Sequence, residues 1–205
     1  MDINLLLRGL LIGFSIAAPV GPIGVLCIRR TLAEGRTFGF VSGLGAATAD
    51  AFYGSVAGLG LTLVSGFLIG QQSWLRLIGG TYLCYLGYRT FRSKPSEQAA
   101  SARGRGIIGA YGSTLFLTLT NPITILSFAA IFAGLGAGAA AGDYRSAIAL
   151  IAGVFTGSCA WWLILVIITS IFRSRLNTTG LGWVNRISGT IIAVFGLIVL
   201  LSLIS

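Results

Sequence analysis

The stretch Ala18-Pro19-Val20-Gly21-Pro22-Ile23-Gly24-Val25-Leu26-Cys27-Ile28-Arg29-Arg30 decides the fold. It completes an apolar run from Leu5 to Ile28, and about 20 such residues suffice to cross a bilayer as a helix. Two prolines and two glycines interrupt that run near its middle. Each proline lacks an N–H, and its ring clashes with the carbonyl four residues earlier. Carbonyls near Ser15 and Ala18 are thereby released, and Gly21 and Gly24 tolerate unusual backbone angles. In hydrocarbon such groups are tolerated only where protein or water receives them. The break therefore predicts a polar cavity inside a membrane.

Composition makes the membrane the solvent. The chain has 205 residues, 55% hydrophobic and 9% charged, with mean hydropathy +0.91. A soluble domain carries about a quarter charged residues, so an all-α integral membrane protein is expected, with the lipid bilayer as its partner. The net charge of +9 would suit nucleic acid if it were gathered on one face. The basic residues instead lie dispersed at the ends of apolar runs, as in cytoplasmic loops of membrane proteins, and no nucleic-acid partner is expected. Cys27, Cys84 and Cys159 sit within apolar segments and read as small packing residues, not as a disulfide framework or zinc site. Histidine is absent, which removes the commonest metal ligand and proton shuttle. No metal site and no cofactor are expected. Asp2 and a lone Arg8 do not make the basic n-region of a cleavable leader, so the N-terminal run reads as a retained span.

Six spans are nominated: Leu5–Ile28, Phe38–Val64, Gln71–Tyr88, Ile107–Leu135, Ser146–Phe172 and Leu181–Ile204. Arg29, Arg30 and Arg36 occupy the first connection; Arg89, Arg92, Lys94, Arg103 and Arg105 the third; Arg173, Arg175 and Arg186 the fifth. Lys and Arg accumulate on the cytoplasmic side. These connections then face inward, and both termini face outward. The third is rich in Ser, Ala, Gly and Arg and reads as a flexible tether. Residues 1–92 form a first three-helix repeat, 93–106 a cytoplasmic linker and 107–205 a second repeat.

The halves resemble each other. Trp74, Ile78, Gly80-Thr81 and Gly87 match Trp183, Ile187, Gly189-Thr190 and Gly196 at one fixed offset. Gly43 matches Gly153, and Pro22 matches Pro122. Three spans per half reverse the direction of the second half, which makes an inverted 3+3 repeat with discontinuous first and fourth helices. Interrupted helices in matching positions of inverted repeats point to a transporter's binding site. Helix starts exposed there favour carboxylates and released carbonyls favour cations, so a zwitterion suits the cradle.

Pro19, Gly21 and Pro22 supply one break, and Thr120, Asn121, Pro122 and Thr124 the other. Asp50, the lone acid well inside a nominated span, completes the expected substrate and proton pathway. An intramembrane acid costs about 2.5–3.5 kcal/mol on insertion scales and is a functional candidate by default. Gly39, Gly43, Ala46, Asp50, Gly54 and Ala57 fall on one helical stripe, so Asp50 is expected to face the bundle. It could hold a substrate ammonium or carry a proton, and the residues leave both roles open.

These residues resemble the LysE/RhtB superfamily of bacterial amino-acid exporters. The likeness rests on Pro19-Val20-Gly21-Pro22, the following Arg30-Thr31-Leu32-Ala33-Glu34-Gly35-Arg36, the GFVSGLGAATAD segment ending at Asp50, and Asn121-Pro122. It implies a six-span exporter of the inner membrane, often a homodimer, moving amino acids or related small metabolites outward in exchange for protons. In many relatives a basic or polar residue follows the second Asn-Pro; here it is Ile123. The alternative is export of a divalent metal or other small ion, which distant superfamily members perform. One buried Asp and no His make a poor ligand set for it. No enzymatic activity is expected, because paired aspartates, zinc ligands and a histidine base are all missing.

Overall fold

The computed structural model describes residues 3–19, 21–58, 71–92, 95–121, 124, 125, 127, 128, 144–173 and 178–203. Among the described residues the chain forms seven long helices: α1 Ile3–Ala17, α2 Pro22–Ala33, α3 Arg36–Gly58, α4 Gln72–Arg92, α5 Pro95–Leu119, α6 Tyr144–Arg173 and α7 Thr178–Leu201. Within α6 and α7, Tyr144–Phe172 and Thr179–Leu201 are long and apolar enough to cross a membrane. The α1–α2 pair qualifies jointly, bent by 81°. Residues 59–64 of the nominated second span and 129–135 of the fourth lie outside the described residues, as do Val20, Lys94, Pro122, Ile123 and Arg175.

The outer surface is what lipid requires. Ile164, Ile167, Ile168 and Ile171 of α6 and Val194, Leu197, Ile198 and Leu201 of α7 are exposed. Apolar patches on this scale are foreign to a soluble monomer. The buried positions include Thr31, Ser42, Thr114, Thr118 and Ser158. Most of these hydroxyls are satisfied by carbonyls of their own helix: Thr31 donates to Cys27 O, Ser42 to Phe38 O, Thr114 to Ala110 O and Thr118 to Thr114 O, at 2.8–3.0 Å. A polar side chain so bonded can be carried into a membrane bundle without a second partner.

Lipid removes the hydrophobic drive between helices, so close backbone packing has to supply association. α1 buries Leu5, Gly9, Gly13 and Ala17, a stripe at spacings of four, against α6. A Cβ at Gly9 would strike the carbonyl of Leu150, and one at Gly13 that of Val154. Gly153 and Gly157 press equally closely on Leu6 and Leu10. α4 and α7 pack the same way: Gly80 lies against Gly196, and Gly87 against Gly189 and Ala193. α3 sits between α5 and α6. Because backbone, not a flexible side chain, is what the added atoms would meet, Gly153→Val is expected to lower the thermal unfolding midpoint in detergent markedly. Overpacking of this kind costs about 1–3 kcal/mol or more. An unchanged midpoint would mean that α1 and α6 do not touch there.

Two sequence expectations change here. The stretch expected as a tether is helical from Pro95, and the chain turns at Gly106 (φ 61°, ψ 173°), a conformation only glycine adopts readily. Arg29 and Arg30, expected in a solvated loop, lie on α2 and are 8% exposed. α2 continues past them because its stop signal comes later: Glu34 N and Gly35 N both return to Arg30 O, at 2.8 and 3.0 Å. Gly35 then takes φ 111°, which a side chain would oppose. Arg36, by contrast, is exposed at the start of α3.

Candidate functional site

The first break is local chemistry written in the backbone. α1 ends at Ala17, whose neighbour Ala18 still donates to Phe14 O at 3.0 Å. Gly21 N then turns back to Pro19 O at 2.9 Å. Gly21 is the N-cap of α2, with φ −93° and ψ −164°, and Pro22 occupies the first helical turn, where a missing N–H costs nothing. Gly21 O accepts from Val25 N at 3.0 Å, which starts the new helix. The N–H groups of Ile23 and Gly24 lie in that first turn, where the helix itself provides no acceptor.

The second break repeats this arrangement. α5 ends at Leu119, Thr120 N donates to Phe116 O at 3.0 Å, and Asn121 N to Thr118 O at 3.2 Å. Asn121 O then accepts from Ile125 N at 3.2 Å, and the next described residues, Thr124 and Ile125, are helical. Gly21 and Asn121 thus play the same part, each immediately before a proline. Pro122 itself lies outside the described residues.

Between the breaks lies a cavity of about 250 Å³. Of the residues nominated from sequence, Pro19, Gly21, Pro22, Asp50, Asn121 and Thr124 line it. Thr120 does not: its hydroxyl returns to Phe116 O at 2.9 Å, and its carbonyl lies beside Gly79 of α4. Ile16, Trp162 and Phe195 add apolar wall, while Thr118 and Ser127 add hydroxyls.

Asp50 is 3% exposed on α3. The small stripe to which it belongs packs as its spacing implies, Gly43 against Trp162 and Gly54 against Val154, so its carboxylate is aimed away from lipid. Ser158 Oγ donates to Asp50 Oδ2 at 2.7 Å, and Trp162 Nε1 donates to Ser158 Oγ at 3.1 Å. This chain of two hydrogen bonds orients the carboxylate and sets one of its own members, the indole, on the cavity wall. Among the described residues no lysine or arginine pairs with Asp50; the one ion pair is Arg29 with Glu34. A carboxylate buried without a counter-charge requires one from a bound cation or a proton. Sequence reasoning missed Ser158 and Trp162. Their signal was the spacing of four in Val154, Ser158 and Trp162, a stripe of α6 that faces α3. Among the described residues no three His, Cys, Asp or Glu side chains gather to hold a metal.

A helical membrane protein with a cavity beside a broken helix pair and a buried carboxylate on its wall has the build of a translocator. The LysE type translocator family model matches residues 14–203, and the chain belongs to that family. A Bacillus subtilis (strain 168) protein, YcgF, provisionally named for amino acid efflux, is 29% identical over 198 residues, covering 94% of this chain and 93% of its own length. The threonine efflux protein of Salmonella typhi is 27% identical over 195 residues, covering 89% of this chain and 90% of its own. That of Escherichia coli K12 is 24% identical over the same coverage. No solved structure matches the chain significantly.

Proposed function

We infer that this chain is a secondary-active exporter of amino acids or related small metabolites, working across the bacterial inner membrane by exchange with protons. The observation that carries this reading is the cavity lined together by Gly21 and Pro22, by Asn121 and by Asp50, whose carboxylate has no lysine or arginine partner among the described residues. Orphan N–H groups at the start of α2 suit a carboxylate. Asp50 suits an ammonium, and hydroxyls and the Asn121 amide complete a zwitterion's needs. Relatives named for amino acid and threonine efflux along nearly their whole length agree with it. Substrate is held by Pro19, Gly21, Pro22, Asp50, Asn121 and Thr124 in this reading. Pro122 holds the second break, and Thr120 supports it from behind.

The fold in this proposal is a six-span inverted 3+3 repeat. Helix packing supports it. The pairing of α1 with α6 becomes that of α5 with α3 when the halves are exchanged. The matched glycines meet crosswise, Gly80 on Gly196 and Gly87 on Gly189. A pseudo-two-fold axis relating the halves would produce this pattern. Both termini lie outside and residues 93–106 in the cytoplasm. Reporter fusions at Ser96 are expected to read cytoplasmic and those at Ser205 external; the reverse pattern would invert the proposed topology.

The direct test is efflux. Vesicles containing the purified protein and loaded with labelled threonine or other neutral amino acids are expected to release label faster when protons are supplied on the opposite side. Release that ignores both the protein and the proton gradient for every amino acid tried would overturn the exporter reading.

A further inference from the structure

The cavity lies at one end of α2, and two buried arginines lie at the other. Arg30 Nη1 donates to Ser42 Oγ at 2.7 Å on α3, and to Ala110 O and Thr114 Oγ1, both at 2.9 Å, on α5. Its Nη2 donates to Ser113 Oγ at 2.8 Å. Arg29 reaches the opposite neighbour, with Nε on Asn185 Oδ1 of α7 at 3.4 Å. These acceptors on α3, α5 and α7 are all neutral; the one carboxylate partner, Glu34, takes Arg29 Nη2 at 3.3 Å from the C-cap of α2 itself and so travels with that helix. A buried guanidinium held by a carboxylate is hard to free, whereas hydroxyl and carbonyl partners can each be released and replaced by water. Between the arginines and the cavity, Leu26 and Cys27 are fully buried and fill the interval.

We propose that Arg29 and Arg30 form a latch that closes the cavity on the side where α2 ends, and that α2 is the element that moves when this side opens. The half-helix is set off from α1 by an 81° bend, so it can shift without dragging α1 with it. Moving it requires Arg30 to leave α3 and α5 and Arg29 to leave α7. On the topology proposed above, that side is the cytoplasm, and the latch decides when substrate enters from there. The arginines are gating residues; they do not line the cavity.

Cys27 provides the readout, independent of substrate. With Cys84→Ala and Cys159→Ala, it is the sole thiol. It is fully buried while the latch holds. Its reaction with N-ethylmaleimide in membrane vesicles is then measured for Thr114→Val and Ser113→Ala, singly and together. These remove acceptors while keeping side-chain shape nearly unchanged. The double variant is expected to label at least ~10-fold faster than the parent, with the single variants between, since hydrogen bonds to a charged group are lost. Thr48→Val breaks another α3–α5 hydrogen bond, from Tyr111 at 2.9 Å, in which no group of α2 takes part. It is expected to leave the rate unchanged. Parental labelling in the double variant, or an equal rise in Thr48→Val, would overturn the latch. The rate does not depend on what is transported, so a failed efflux assay and a failed latch are told apart.

Discussion

Asp50→Asn is expected to abolish the proposed proton-driven amino acid export while leaving the protein inserted and folded. An asparagine keeps an oxygen for the hydrogen bond from Ser158, which stands at 2.7 Å, so the local packing survives. What disappears is the negative charge and the capacity to bind and release a proton. A hydrogen bond to a charged group contributes about 1.5–3 kcal/mol, so flux at low substrate falls roughly ten- to a hundredfold from lost binding alone. Two measurements on reconstituted vesicles separate the roles of the carboxylate. If Asp50 holds the substrate ammonium, exchange of substrate between the two sides fails together with gradient-driven efflux. If it carries the proton, exchange persists and only gradient-driven efflux fails. Wild-type efflux with an intact proton response in this variant would remove Asp50 from the mechanism.

The second large effect is expected from Pro19→Ala combined with Pro22→Ala. Alanine at 19 and 22 restores two N–H donors and removes two ring clashes, so the carbonyls of Ser15 and Ala18 regain intrahelical partners. The run from α1 into α2 then gains what a continuous helix offers in lipid, where unmade backbone hydrogen bonds are most expensive. The cradle formed by the first turn of α2 is lost. Substrate affinity, read from the concentration dependence of efflux, is expected to weaken at least ~10-fold, which corresponds to about 1.4 kcal/mol. Thermal stability is expected to hold or rise. Unchanged affinity would return both prolines to a packing role.

The two variants probe opposite halves of one idea, that stability is given up locally for a polar site. The breaks expose donors and carbonyls that a straight helix would hide, and Asp50 places a charge where lipid would exclude it. Burial of the carboxylate behind Ser158 and Trp162 keeps that charge directed at the cavity.

Much of this was legible in the residues themselves. Proline cannot donate and glycine tolerates unusual angles wherever they occur, so the interruption at Pro19 to Pro22 and its counterpart at Asn121 could be read locally. Helical spacing alone placed Asp50 on the face shared with Gly43 and Gly54, because i, i+3 and i+4 positions lie together on any helix. Pro22, Asn121 and Asp50 line one cavity. Charge at the ends of apolar runs was a weaker guide. A count of arginines cannot distinguish Arg36, which meets solvent, from Arg30, which is buried.

What sequence by itself determined is therefore whatever depends on one helix at a time: apolar length, the breaks, and the face that carries Asp50. Tertiary structure alone decided which groups meet across helices. It brought Ser158 and Trp162 of α6 to Asp50, turned Thr120 toward α4, and closed Ser42, Ser113 and Thr114 around Arg30. Backbone preference acts over a few residues and is written locally, whereas a partner far along the chain is chosen only when glycine-lined faces bring two backbones together.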